Sequence, residues 1–297
     1  MLREKLRGVV GFPITPFKSG LTLDLDALES NVAAMIKHPF CSLVAVGGTG
    51  EIYSLTPGEN VEVVRRTVAV TGGRMPVIGG IGFNTPIACE MAREMEKAGA
   101  DALLVMPPYY TGAPADGLLT YYETIGRASG LPLALYSRDW AVFSPDMVAR
   151  LAEKVPTLQI WKDGQGDMRK YQRIMAKVGD RLAWIGGIGD DCAAGYFAIG
   201  VQGYTSSISN VAPKLSLAIG AAGINRDFAA LNNLLNKYVH PLYAIRDRKR
   251  GYEVSVMKTM MDLIGLKGGP VRPPLENVNA AEVDMIKGIV ELYKDYL

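Results

Sequence analysis

Four stretches of this sequence place a group capable of chemistry at the end of an apolar run. Lys162 follows Leu158, Ile160 and Trp161 in LQIWKDG. An ammonium there loses its water, which depresses its pKa and leaves a free amine able to attack a ketone. The plainer reading is a lysine just past a strand end, reaching into solvent. Tyr136 ends PLALYS and is either a core aromatic or a phenol that passes protons; Arg138 is either a surface cation or a carboxylate clamp. In Gly47-Gly48-Thr49-Gly50-Glu51 the glycines let backbone N–H groups approach a ligand, and the Thr49 hydroxyl adds a donor. A tight turn between strand and helix is the alternative. Ser206 and Ser207 end the last apolar run, and Gly187 stands in GGIGDD at 186–191; these three are taken with Gly48 and Thr49 as candidate binding positions.

Other chemistries find no support. GGTGE lacks the spacing of GxGxxG, and GxxxxGK[ST] does not occur. His38 and His240 have no partner at ligand spacing, so neither a metal site nor a histidine-based triad is expected.

The elements that must position these groups alternate. β-rich runs begin at Val9, Ser42, Met75, Asp101, Pro132, Leu158, Leu182 and Val201. Near-continuous apolar runs ending in Gly, Pro or polar residues are what strands of a parallel sheet, buried on both faces, look like. Segments of helical period lie between them. Thr56-Pro57-Gly58-Glu59 reads as a capping box with proline at the first helical position, and Thr85-Pro86 and Ser144-Pro145 repeat that start. Eight strands and about seven helices predict an α/β fold, a (β/α)₈ TIM barrel closing near residue 210, whose active site lies at the carboxyl ends of its strands. We expect residues 1–225 to form the barrel and 226–297 a C-terminal helical extension packed on it.

Composition sets the remaining bounds. The chain has 297 residues, 48% hydrophobic and 21% charged, with 32 Lys plus Arg against 30 Asp plus Glu. That balance argues against nucleic acid as a partner. Cys41, Cys89 and Cys192 form no CxxC pair, which fits reduced thiols in the cytoplasm. No apolar segment reaches the roughly 20 residues a bilayer requires, so neither a membrane span nor a secretory leader is expected.

Taken together, GGTGE on the second strand, Tyr136 ending the fifth and Lys162 ending the sixth resemble the dihydrodipicolinate synthase and N-acetylneuraminate lyase superfamily over essentially the whole chain. Within it, WKDGQGD at 161–167, the Tyr-x-Arg of Tyr136 to Arg138, the Ser206-Ser207 pair, and AIRDRKRGYEVSVMK running on to GGPVRPPL are similar to the 5-dehydro-4-deoxyglucarate dehydratases. Gly48 stands where the synthases carry a threonine of a proton relay. Ser137, GGIGDD at 186–191 and SSISN at 206–210 depart from the dehydratase pattern, which bears on the substrate more than on the chemistry.

The resemblance implies a lyase in which Lys162 forms a Schiff base with a 2-oxo acid and Tyr136 handles protons. No metal or organic cofactor is needed. Gly48 and Thr49 would hold the carboxylate next to the ketone, and Arg138, Ser206 and Ser207 the distal half. It also implies a homotetramer in which Tyr110, in PPYYTG, reaches a neighbouring site; an ordinary interface aromatic is the alternative for that residue. Two other functions stay open: a lyase or synthase of the same fold acting on pyruvate, and a non-catalytic barrel that binds a small acid.

Overall fold

A computed structural model describes residues 2–297; residue 1, the first of the expected barrel span, lies outside the described residues. Eight strands run β1 Gly8–Gly11, β2 Ser42–Ala45, β3 Val77–Ile81, β4 Ala102–Val105, β5 Leu133–Ser137, β6 Leu158–Asp163, β7 Ala183–Gly186 and β8 Gly203–Ser206. Each pairs in parallel with the next, and β8 returns to β1. The sheet is a closed (β/α)₈ barrel, which leaves no unpaired edge.

Strands this short work because their alternation serves two cores. One set of side chains, including Val10, Val44, Ile78, Leu104, Ala134, Ile160 and Ile185, fills the barrel. The other set, including Leu43, Val77, Leu103, Leu135 and Trp161, packs outward against the helices.

The helices are α1 Leu2–Lys5, α2 Leu25–Met35, α3 Pro57–Thr71, α4 Thr85–Lys97, α5 Ala115–Gly126, α6 Pro145–Lys154, α7 Met168–Val178, α8 Ala193–Ala198 and α9 Pro213–Ile224, then α10 Phe228–Leu234, α11 His240–Arg246, α12 Tyr252–Leu263 and α13 Ala280–Leu292. Helix α3 begins with the capping box: the Glu59 N–H donates to the Thr56 hydroxyl, and the Thr56 N–H to the Glu59 carboxylate. Ser144 caps α6 in the expected way. The start of α4 differs by one residue, because Asn84 supplies the capping oxygen and Thr85 is already helical. No helix is long and apolar enough to cross a membrane.

Helices α10 and α11 are joined through a π-helical turn, Leu235–Val239, ahead of Pro241. A proline inside a helix removes a donor, and a π turn accommodates the broken ladder. Helix α11 then brings Tyr243 and Arg246 to the mouth of the barrel.

The C-terminal segment is tied to the barrel by charge as well as by packing. Lys258 on α12 forms an ion pair with Glu51 at 2.5 Å, both side chains almost fully buried. Burial pushes the Glu51 carboxyl up and the Lys258 ammonium down, each partly offset by the other's charge. The Arg272 N–H also donates to Glu51, and its guanidinium grips Glu59 bidentately. Those bonds hold the Glu59 carboxyl down at about 2. The GGTGE loop is therefore clamped by residues more than 200 positions away in sequence.

Candidate active site

Lys162 and Tyr136 are register partners on neighbouring strands, so their side chains emerge side by side into the barrel mouth. The period of two that points Ile160 into the barrel also points Lys162 inward and sends Trp161 and Asp163 out. Lys162 is 4% exposed, and burial lowers its pKa well below the ordinary lysine value, with the Arg138 charge acting in the same direction. Its Nζ donates to the Gly187 carbonyl at 2.8 Å and lies 3.2 Å from the centroid of the Tyr136 ring. The Tyr136 hydroxyl donates to the same carbonyl at 3.0 Å. Burial pushes this phenol up to about 12, so it stands as a proton donor rather than a phenolate.

Gly187 has no room for a side chain. A Cβ there would lie 2.7 Å from Lys162 Nζ and closer still to its Cγ. Gly48 is set against Arg138 in a milder way, since a Cβ at 48 would lie 3.2 Å from Arg138 Nη1. Arg138 also stacks over the Tyr136 ring at 5.3 Å and pairs with Asp139 at 2.7 Å.

These residues line one cavity of about 380 Å³, in the range of small-molecule sites. Lys162, Tyr136, Gly48, Thr49, Arg138, Gly187 and Ser207 all contribute to it. Ser206 does not. Alternation along β8 turns Thr205 into the cavity and Ser206 outward, where its hydroxyl is fully buried against the Ser216 hydroxyl of α9 at 2.7 Å. Of the serine pair only Ser207 lines the cavity, and Thr205, not Ser206, is the β8 residue that faces it. Tyr110 also lies off the cavity, in the loop after β4, 75% exposed.

The two aspartates of WKDGQGD serve structure. The Asp163 carboxylate accepts from the Tyr196 hydroxyl at 2.8 Å and from the Gly166 N–H at 3.0 Å, which shapes the loop following Lys162. Asp167 caps α7.

Several lining residues escaped the sequence reading: Phe12, Tyr53, Asp190, Tyr243, Arg246 and Glu253. Arg246 is the most unexpected, because it lies in a helix beyond the barrel and carried no local signal other than its place in AIRDRKRG. Asp190 is 1% exposed with Oδ1 unpartnered, and burial pushes its carboxyl up to about 6 against the opposing pull of the Ser206 hydroxyl and the Arg246 charge.

What the arrangement can do is nucleophilic chemistry on a carbonyl: an amine whose charged form is disfavoured by desolvation, a phenol beside it, and backbone donors with cations that suit an anionic ligand. Relatives of the chain carry related chemistry in their names. It is 41% identical over 286 residues to a "Probable 5-dehydro-4-deoxyglucarate dehydratase" of Bradyrhizobium diazoefficiens, covering 96% of this chain and 91% of that one. It is 41% identical over 290 residues to a protein of the same name from Ralstonia nicotianae, covering 97% and 93%. The crystal structure of dihydrodipicolinate synthase from Bacillus clausii superposes with a TM-score of 0.93 at 27% identity, covering 99% of this chain and all of that one. The dihydrodipicolinate synthetase family model matches residues 5–292. With the closed barrel, the buried lysine on β6 and a family match over nearly its whole length, this chain belongs to the dihydrodipicolinate synthetase family.

Proposed function

We propose that the chain is a Schiff-base lyase that converts 5-dehydro-4-deoxyglucarate to 2,5-dioxopentanoate, CO₂ and water. The observation that carries this reading is the buried Lys162 amine beside the Tyr136 hydroxyl, joined to 41% identity with relatives named for that dehydration.

Carbons are numbered here from the carboxyl next to the ketone. The neutral Lys162 amine adds to C2 and water leaves, giving an iminium that withdraws electrons from C3. A C3 proton is removed, and the enamine so formed expels the C4 hydroxyl, which takes up a proton and departs as water. The product is an iminium conjugated to a C3–C4 double bond. Cleavage of the C5–C6 bond then releases CO₂, and its electron pair flows through the conjugated chain to nitrogen. Protons return to C3 and C4, the C5 enol becomes an aldehyde, and hydrolysis frees Lys162. With both carboxylates ionised at the start, the sequence takes up one proton overall.

Tyr136 is the group we assign to proton transfer at C3 and C4, because its hydroxyl shares the Gly187 carbonyl with the reacting amine. Gly48 and Thr49 are assigned to the carboxylate beside the ketone; Arg138, expected at the distal half, is reassigned to this carboxylate because its Nη1 lies 3.2 Å from a Cβ built at Gly48. No step draws on a metal or organic cofactor.

A homotetramer in which Tyr110 reaches a neighbouring site belongs to the same proposal. Tyr109, 91% exposed, lines a groove with Phe83, Met106 and Trp140, an apolar rim that favours association, and Tyr110, 75% exposed, follows it in the chain. Analytical ultracentrifugation tests the stoichiometry.

A coupled assay for 2,5-dioxopentanoate and CO₂ tests the reaction. Borohydride trapping tests the intermediate: labelling of Lys162 by pyruvate alone, with no turnover of the diacid, would replace this reading with a pyruvate lyase or synthase. Full biological activity in Lys162→Ala would favour a non-catalytic binding role.

A further inference from the structure

The cavity has a second arginine in its lining, supplied from outside the barrel. Arg246, on α11, is half-buried at the mouth, its guanidinium stacked on the Tyr243 ring at 4.4 Å. Tyr243 is itself fixed, since its hydroxyl accepts the Asp190 N–H at 2.8 Å. Arg246 Nη1 donates to the Ser207 hydroxyl at 3.1 Å, and its buried Nε has no partner at all.

A guanidinium with a buried, unused donor is costly unless something completes its bonding. Asp190, Asp191 and Glu253 face it from neighbouring elements and act on it through charge. Among the described residues, however, no carboxylate reaches Arg246 within the 4.0 Å of an ion pair. Glu253 has its own partner in the Gly251 N–H, at 2.9 Å.

The placement is specific. Arg138 stands on the Gly48 side of Lys162. From Lys162 the chain runs through Gly187, against the amine, to Gly189, where a Cβ would lie 2.6 Å from the Tyr243 hydroxyl. Arg246 and Ser207, bonded to each other, thus reach the same cavity as Gly48 and Arg138 from an element of their own. A 2-oxo diacid bound to Lys162 through its ketone, with its first carboxylate at Gly48 and Thr49 beside Arg138, leaves Arg246 and Ser207 as the remaining cation and hydroxyl donor for the other.

We infer that Arg246, with the Ser207 hydroxyl, is the anchor for the distal carboxylate of the substrate and sets the preference for 2-oxo diacids over 2-oxo monoacids. This rests on Schiff-base formation at Lys162, but it is tested without turnover. The probes are 2-oxoadipate and 2-oxohexanoate, equal in chain length and differing in the distal carboxyl.

Borohydride inactivation is titrated with each probe in the wild-type protein, in Arg246→Met and in Arg246→Lys. The wild type is expected to trap 2-oxoadipate at the lower concentration. In Arg246→Met the ratio of half-saturating concentrations, diacid over monoacid, should rise at least about 30-fold, the loss of a charged hydrogen-bonded contact, and Arg246→Lys should recover part of it. A ratio that stays within about threefold of wild type, whether both probes weaken together or neither does, overturns the inference. Trapping of 2-oxohexanoate by Arg246→Met keeps a misfolded variant from counting as support. Failure of the wild type to release CO₂ from 5-dehydro-4-deoxyglucarate would overturn the proposed reaction while leaving this ratio to judge the anchor.

Discussion

The amine of Lys162 and the hydroxyl of Tyr136 turn to a single acceptor, the Gly187 carbonyl, at 2.8 and 3.0 Å, with the amine 3.2 Å from the centre of the tyrosine ring. One carbonyl thus sets the nucleophile and the phenol at one point in space. Replacing Tyr136 by Phe keeps the ring under the amine and removes only the hydroxyl. Turnover should fall about 10²–10⁴-fold, while trapping of a 2-oxo acid on Lys162 persists; comparing kcat with borohydride labelling separates the two. Loss of labelling in parallel with kcat would move Tyr136 from proton transfer to positioning of the amine.

Gly187 is the second test of the same geometry. A methyl group at this position would lie 2.7 Å from Nζ. Gly187→Ala should abolish labelling of Lys162, whereas Gly48→Ala, whose methyl meets only the end of the Arg138 side chain at 3.2 Å, should mainly raise KM. Wild-type labelling rates in Gly187→Ala would refute the close approach.

The depressed pKa of Lys162 makes a prediction about stability. Its folded value is lowered, chiefly by burial, below the unfolded value of about 10.4. Between those two values the unfolded chain binds more protons, so stability falls as pH drops through that window. Lys162→Met, which removes the buried amine, should flatten this slope and raise stability at neutral pH by about 1 kcal/mol. Thermal melts of both proteins across pH decide the matter, and an unchanged slope counts against a buried neutral amine.

Asp190 has the opposite sign. Its carboxyl is pushed from 3.8 up to about 6 by burial. Between those values the folded protein binds more protons, so stability is lost as pH rises through the window, by roughly 3 kcal/mol in all. Asp190→Asn should remove this component. Melts between pH 4 and pH 7 should show a flatter profile for the variant.

The Glu51–Lys258 pair predicts non-additivity. Lys258→Met leaves a buried carboxylate without its counter-charge and should cost about 3–5 kcal/mol. The double variant Glu51→Gln, Lys258→Met should recover most of that. Chemical denaturation of the two singles and the double forms the cycle, and additive losses would show that the pair acts as two independent side chains.

Much of this site can be traced in local sequence. Lys162 and Tyr136 end apolar runs whose period of two continues through them, so strand alternation alone carries them into the barrel. Thr56, Glu59 and Ser144 form their caps within three or four residues and need no distant partner. Ser206 shows where such reasoning loses precision. In a run of Thr205, Ser206 and Ser207 every residue is polar, so composition does not say which faces inward, and a shift of one residue exchanges cavity for outer core.

By itself the sequence determined the barrel and the strand ends on which Lys162 and Tyr136 stand, because periodicity and capping act over short distances. Only the tertiary structure decided that Gly187 is the shared acceptor, that Lys258 and Arg272 clamp the glycine loop through Glu51, and that Arg246 lines the cavity bonded to Ser207. Those contacts join residues 25 to more than 200 positions apart. A buried charge placed on a helix beyond the barrel has no local pattern to announce it. Its meaning depends on which desolvated partner the closed fold sets beside it.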